Sequence, residues 1–157
     1  MAATADATPA DRILVITRLF DAPRSLVFKV WTRPEHLARW LGPKDFTAPS
    51  VTLDVRPGGA WRSCIRSPEG TEYWMRGVYR EIVAPERLVF TFAWEEEGDR
   101  GLETLVTVTF EEVGDKTRLI FRQAPFTTVE ERDSHQGGWS ECLDRLGAYI
   151  RQGAAHG

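Results

Sequence analysis

The fold is decided by residues 129–151, VEERDSHQGGWSECLDRLGAYIR. Apolar residues recur there three, four and seven positions apart, the spacing of one helix face. They are Trp139, Cys142, Leu143, Leu146, Tyr149 and Ile150. Thr127 and Glu130 have the spacing of a capping box, and Arg151 lies where a helix dipole favours a positive charge. The segment predicts one long C-terminal helix whose apolar stripe must pack against something else.

Residues 46–123, which precede this helix, form short alternating runs of apolar and polar residues. Turn sequences such as Arg-Pro-Gly-Gly at 56–59 and Ser-Pro-Glu-Gly at 67–70 separate the runs. This pattern is typical of antiparallel strands joined in sequence. The predicted strands are 50–55, 60–66, 73–83, 87–94, 103–112 and 116–123.

The residues further upstream predict one more strand and two short helices. Residues 12–20, RILVITRLF, favour a strand, and Pro23 is suited to the first turn of a helix over 25–32. Thr32 and Glu35 have capping-box spacing for a second helix, which Gly42-Pro43 ends. The order of elements predicts an α+β fold: a curved seven-stranded antiparallel sheet wrapped around the long C-terminal helix, with a gap between them.

Composition excludes several classes of protein. The chain has 157 residues, 42% of them hydrophobic, with a net charge of -3, which describes a single globular domain that is not built to bind nucleic acid. Its longest stretch without a charged residue, 46–53, is far shorter than the roughly 20 residues of a membrane span. We expect a domain over 12–151, disordered tails at 1–11 and 152–157, no membrane partner and, since no signal peptide is recognisable, a cytoplasmic location.

The aromatic content suggests where a small molecule could bind. Six Trp, eight Phe and three Tyr occur in this one domain, and strand alternation places many of them on one sheet face. They either fill a core or line an apolar pocket. The predicted ligand-binding residues are Trp61, Ser63, Ile65, Met75, Gly77, Tyr79, Phe90, Phe92, Phe121 and Gln123 on the sheet, with His135, Trp139 and Leu143 on the helix.

Other chemistry finds little support in the sequence. No nucleophile motif or phosphate-binding glycine loop occurs, and neither the histidines nor Cys64 and Cys142 have metal-ligand spacing, so no catalytic residue, metal or cofactor is assigned. Acid–base chemistry remains open through a side chain that projects inward, the candidates being Arg18, Glu72, Glu81, Glu103, Gln123 and His135. An enzyme would be tested first at His135 and Glu81. Gly137 and Gly138 each cost a helix about 1 kcal/mol relative to alanine. They indicate either close packing on the sheet or room for a ligand.

Several segments together resemble a known family. They include Phe20-Asp21-Ala22-Pro23, residues 31–37 (WTRPEHL), 54–59 (DVRPGG), 77–82 (GVYREI) and 85–92 (PERLVFTF), followed by Gly138-Trp139. From about residue 13 to 150 the chain resembles the homologues of the activator of the 90-kilodalton heat-shock protein ATPase, a family of the START-like (SRPBCC, Bet v 1-like) superfamily. The resemblance implies a helix-grip fold with a cavity between sheet and helix.

The superfamily includes lipid carriers, hormone receptors, polyketide cyclases and co-chaperone domains, so fold alone does not select a function. Our leading hypothesis is that this chain, as a monomer or homodimer, binds a small hydrophobic or aromatic molecule in the cavity and is not an enzyme. One alternative is co-chaperone-like binding to the heat-shock ATPase. The other is a cyclase or dehydratase acting in the same cavity.

Overall fold

A 23-residue helix, α3 (Val129–Arg151), packs against a curved antiparallel sheet. The computed structural model describes residues 9–153, apart from the side chains of Asp99 and Arg100. The sheet consists of β1 (Leu14–Phe20), β2 (Thr47–Leu53), β3 (Ala60–Arg66), β4 (Glu72–Val83), β5 (Arg87–Trp94), β6 (Thr104–Val113) and β7 (Lys116–Ala124). Two short helices, α1 (Arg24–Thr32) and α2 (Pro34–Leu37), connect β1 to β2.

The helix-grip fold predicted from the sequence is confirmed. The seven strands are ordered β1-β7-β6-β5-β4-β3-β2, and every neighbouring pair is antiparallel. Because β1 pairs with β7 and β2 pairs with β3, the first two strands of the chain form the two edges of the sheet. Shifts of register between Thr47 and Ser50 in β2 and between Tyr79 and Glu81 in β4 add local twist and bending.

Strand alternation correctly predicted the face that turns toward α3. On β3 the side chains of Trp61, Ser63 and Ile65 are all buried. The same alternation holds on the long β6 and β7 strands, where Val108 and Phe121 are fully buried. Together with α1 and α3 these residues form one continuous hydrophobic core.

Two predicted helix caps are wrong. The Thr32 hydroxyl donates to the Phe28 carbonyl oxygen at 3.0 Å, inside α1, as threonine at the end of a helix commonly does. Helix α3 is capped by Thr128, whose hydroxyl accepts a hydrogen bond from the Glu131 amide at 3.0 Å. The Thr-x-x-Glu spacing occurs twice, one residue apart, so spacing alone could not select the cap.

Some element bounds also differ from those predicted. Strand β1 begins at Leu14, because Ala10–Arg12 forms a short 3-10 helix, and β2 begins at Thr47, ahead of the register shift. The predicted tails, 1–11 and 152–157, fall mostly outside the described residues. Within residues 9–153, no helix is long and apolar enough to cross a membrane.

Candidate functional site

A cavity of about 470 Å³ lies between α3, the strands β3, β4 and β5, and the segment that follows α2. Volumes of about 300–1,000 Å³ with mostly apolar walls are typical of small-molecule sites. Its lining residues are Leu41, Gly42, Pro43, Phe46, Ile65, Tyr73, Met75, Phe92, Trp94, Glu96, Ser134, His135, Gly138, Trp139 and Cys142. Among these side chains only that of Glu96, which is exposed, carries a fixed charge, so the wall is close to neutral.

The helical wall of the cavity has a gap at Gly138. His135, Gly138, Trp139 and Cys142 follow helical spacing along one side of α3, so Gly138 occupies a position where the stripe would otherwise carry a side chain. A Cβ on Gly138 would meet only Pro43, at 4.0 Å, and one on Gly137 would meet nothing within 4 Å. Close packing on the sheet, one of the two predicted reasons for this glycine pair, is therefore wrong.

The sheet wall is aromatic. The Phe92 and Trp94 rings lie edge to face on β5, with centroids 5.3 Å apart, and the Tyr73 ring of β4 lies 6.4 Å from that of Trp94. On the inner side the Phe92 and Trp139 rings are 6.2 Å apart, which joins the sheet wall to the helix wall. Aromatic rings held at such angles present both faces and edges to a bound molecule.

Helix α3 also holds the segment after α2 in place. The Arg145 guanidinium donates to the carbonyl oxygens of Leu41, Gly42 and Pro43, the shortest of these bonds being 2.8 Å to Gly42. The Gly42 amide in turn donates to the Cys142 sulfur at 3.2 Å. These contacts attach a loop with no regular structure to the helix and so fix one edge of the cavity against α3.

His135 lies on the cavity wall and is only 8% exposed. The Trp94 Nε1–H group donates to His135 Nε2 at 3.0 Å, which requires a lone pair there and thus the neutral ring with its proton on Nδ1. The Glu131 carboxylate lies 4.0 Å from the same nitrogen. Glu81, the other acid–base candidate to be tested first, is exposed on β4 and bonded to Arg87, away from the cavity.

Gln123 orients a residue of the cavity wall. It is fully buried; its side-chain oxygen accepts from Trp139 Nε1–H at 3.0 Å, and its amide nitrogen donates to the Thr104 hydroxyl at 2.8 Å. The Thr104 hydroxyl in turn donates a hydrogen bond to the Phe92 carbonyl oxygen at 3.1 Å. This buried chain ties the Trp139 indole to β5, β6 and β7.

The structure distributes the thirteen predicted ligand-binding residues over three locations. Five line the cavity: Ile65, Met75, Phe92, His135 and Trp139. Four others, Trp61, Ser63, Tyr79 and Phe90, surround a smaller void of about 30 Å³ deeper in the core, where burial raises the pKa of the Tyr79 phenol. The remaining four, Gly77, Phe121, Gln123 and Leu143, line neither volume.

Each of these last four residues has a packing role. A Cβ on Gly77 would overlap the Thr91 carbonyl oxygen, so the glycine allows β5 to approach β4 closely at this point. The Phe121 ring lies behind Trp139, with centroids 4.6 Å apart, and Leu143 is fully buried in the core.

Sequence reasoning omitted several lining residues from the site. Tyr73 and Trp94 share a strand face with Met75 and Phe92, and Cys142 follows Trp139 by three residues, so periodicity carried a signal for them. Residues 41–46 showed no such signal, because their place at the cavity depends on contacts with α3 a hundred residues later.

The two thiols are expected to be unreactive, although Cys142 lines the cavity. Burial raises the pKa of Cys142 to about 12 from an ordinary value of 9.0, which lowers its thiolate fraction at pH 8 roughly a thousandfold. In a Cys64→Ala variant, Ellman's reagent should label native Cys142 about a thousandfold more slowly than the urea-unfolded chain. Rates within tenfold of each other would contradict this protection.

The same shift in the pKa of Cys142 affects stability at high pH. Because the thiol ionises at a lower pH in the unfolded chain than in the folded one, the free energy of unfolding falls as the pH rises from 9 toward 12.

Within residues 9–153, no group of three or more His, Cys, Asp and Glu side chains is placed to hold a metal ion. The cavity's chemistry is that of its aromatic walls, His135 and the Cys142 thiol.

Comparisons with known proteins agree with this architecture. The sequence model of the family described as Activator of Hsp90 ATPase homolog 1-like protein matches residues 21–151. No curated protein matches the chain significantly.

Solved structures similar to the chain include bacterial proteins of about the same length. One, from Nitrosomonas europaea, is 23% identical with a TM-score of 0.78, over 94% of this chain and 99% of that one. Another, from Chromobacterium violaceum, is 26% identical with a TM-score of 0.79, over 88% and 96%. The AHSA1 protein from Silicibacter pomeroyi is 26% identical with a TM-score of 0.79, over 89% and 98%.

Proposed function

The chain belongs to the family of Activator of Hsp90 ATPase homolog 1-like proteins, and from that premise we propose that it binds a small, neutral, hydrophobic or aromatic molecule between α3 and the sheet. The observation that carries the proposal is the cavity of about 470 Å³ beside the hydrophobic core. Apolar walls with a few convergent polar groups are the usual anatomy of such sites.

Two features of the wall support ligand binding over a packing defect. The gap at Gly138 keeps the space open at the expense of helix propensity, since glycine is about 1 kcal/mol less favourable in a helix than alanine. The loop that borders the cavity is also fixed by Arg145 and Cys142. A cavity held open by a rigid frame binds without a large ordering cost.

The direct test is a thermal-shift titration with biphenyl as an uncharged aromatic probe. At a hundredfold excess over its Kd, a ligand that binds only the native state adds about 2.7 kcal/mol, which raises Tm by roughly 5–10 °C for a domain of this size. Quenching of tryptophan fluorescence should accompany the shift, because Trp94 and Trp139 line the cavity.

Native mass spectrometry of protein purified without detergent tests the same proposal for molecules retained from the host. If neutral aromatics produce no thermal shift and no retained molecule is found, the ligand-binding proposal is wrong. If the chain then stimulated a heat-shock ATPase, the co-chaperone interpretation suggested by the family description would replace it. The cyclase or dehydratase interpretation depends on a buried acid or base on the cavity wall. His135 is the buried ionisable residue there apart from the Cys142 thiol, and its Nε2 already accepts a hydrogen bond from Trp94.

A further inference from the structure

Two buried polar groups in the core lack a hydrogen-bond partner within the described part of the chain. Ser63 is 0% exposed and its hydroxyl is unpartnered; Trp31 is 4% exposed and its indole N–H is unpartnered. Both side chains line the same void of about 30 Å³. Buried polar groups are nearly always hydrogen-bonded, so an unpartnered pair beside one void indicates an atom that belongs there.

The chemistry of that atom follows from the two groups. An indole nitrogen can only donate, whereas a serine hydroxyl can donate or accept, so together they suit an oxygen that accepts two hydrogen bonds. The void exceeds the roughly 10–15 Å³ that a single oxygen-sized atom needs. The other two indoles that line the void already have acceptors: Trp61 donates to the Thr91 carbonyl oxygen at 3.1 Å, and Trp139 donates to the Gln123 side-chain oxygen at 3.0 Å.

The oxygen must also be uncharged. The residues around the void are Trp31, Leu37, Leu41, Leu53, Trp61, Ser63, Met75, Tyr79, Leu88, Phe90, Phe92 and Trp139. These side chains supply no positive charge, and a carboxylate would be desolvated there without a counter-ion. A ketone, ester or amide oxygen satisfies the pair without that cost.

The void lies beside the main cavity. Leu41, Met75, Phe92 and Trp139 line both volumes. Met75 is the unbranched, flexible side chain of the four, so a change in its rotamer is the movement that would join the two spaces. A molecule in the outer cavity then reaches the unpartnered groups with its inner end.

We propose that the ligand is a neutral aromatic molecule with a carbonyl-type oxygen at its inner end, which the Ser63 hydroxyl and the Trp31 indole N–H bind. The inference rests on the proposed function of the cavity and names the class of molecule that the cavity selects. Shape and apolar walls hold the aromatic body in the outer space, and the two donors select the oxygen.

The test compares 4-acetylbiphenyl with 4-isopropenylbiphenyl, which has the same shape but a CH₂ group in place of the oxygen. Calorimetry or tryptophan quenching should show that the ketone binds at least tenfold more tightly than the alkene. Biphenyl-4-carboxylate should bind more weakly than the ketone. In Ser63→Ala the ketone's advantage should fall about fivefold while the affinity for the alkene stays the same.

Two further variants support the comparison. Ser25→Ala makes the same change on an exposed face of α1, remote from both volumes, and should keep the full preference for the ketone. Trp31→Phe removes the other donor and should also reduce the preference. Ser63→Ala should unfold no earlier than the wild type, because it removes a buried hydroxyl that has no partner.

The outcomes separate the two proposals. Equal binding of ketone and alkene by the wild type, or a preference that survives both Ser63→Ala and Trp31→Phe, overturns the carbonyl site but leaves the cavity as a binding site. Tightest binding of the carboxylate overturns the neutral-oxygen assignment, and failure of all three probes to bind overturns both proposals.

Discussion

Replacing Gly138 with leucine is expected to weaken the binding of biphenyl at least tenfold without lowering the stability of the fold. The Cβ of residue 138 would meet only Pro43, at 4.0 Å, so a longer side chain has room there and extends into the cavity. Leucine is close to alanine in helix propensity, so the helix should gain about 0.5–1 kcal/mol. Urea unfolding and a fluorescence titration measure the two effects separately.

Gly137→Leu is the matched control for this prediction. Residue 137 is exposed on the same turn of α3, and a Cβ there would have nothing within 4 Å. The control should gain similar helix propensity and keep the affinity of the wild type. The proposed binding site is wrong if Gly138→Leu binds biphenyl as tightly as Gly137→Leu does, since the ligand must then lie elsewhere.

The opposite signs of these two effects distinguish a functional cavity from imperfect packing. If the space beside Gly138 were a defect, filling it would stabilise the protein and alter nothing else. If the space is a binding site, the gain in stability comes with a loss of affinity. Stability and binding therefore have to be measured on the same variants.

Much of this architecture could be predicted from local patterns. Side chains along a strand alternate between its two faces, and the turns at Gly58 and Gly70 fix where β3 begins and ends. These two facts were enough to predict that Trp61, Ser63 and Ile65 face inward. The stripe on α3 followed from its period in the same way. These features depend on residues that are near one another in sequence.

The division of that inward face into cavity and core could not be predicted in this way. Met75 lines the large cavity whereas Tyr79, four residues along the same strand face, lines only the small void. The residues that complete the cavity around Met75 include Gly138 and the Arg145-bound loop, which lie far from β4 in sequence. Alternation was also insufficient for Gln123, which was predicted to contact a ligand. It places the side chain on the inner face but does not reveal its hydrogen-bond partners, Thr104 on β6 and Trp139 on α3.

Gln123→Leu is expected to lower the free energy of unfolding by about 2 kcal/mol. Leucine keeps most of the volume but leaves the Trp139 indole N–H buried without an acceptor, a loss that costs about 1–3 kcal/mol. Urea denaturation measures the change. Gln136→Leu, the same substitution on the exposed face of α3, should stay within about 0.5 kcal/mol of the wild type.

A double-mutant cycle with Trp139→Phe isolates the hydrogen bond from the packing. With the indole N–H removed, Gln123→Leu should cost about 1–2 kcal/mol less than in the wild type, because no buried donor is then left unpaired. A coupling energy near zero would mean that the Gln123 bond does not hold Trp139.

Because the Trp139 ring is part of the cavity wall, Gln123→Leu should also weaken biphenyl binding and shift the tryptophan emission, although Gln123 lines neither the cavity nor the void. An effect on affinity from such a residue is what distinguishes orientation of the wall from direct contact with the ligand.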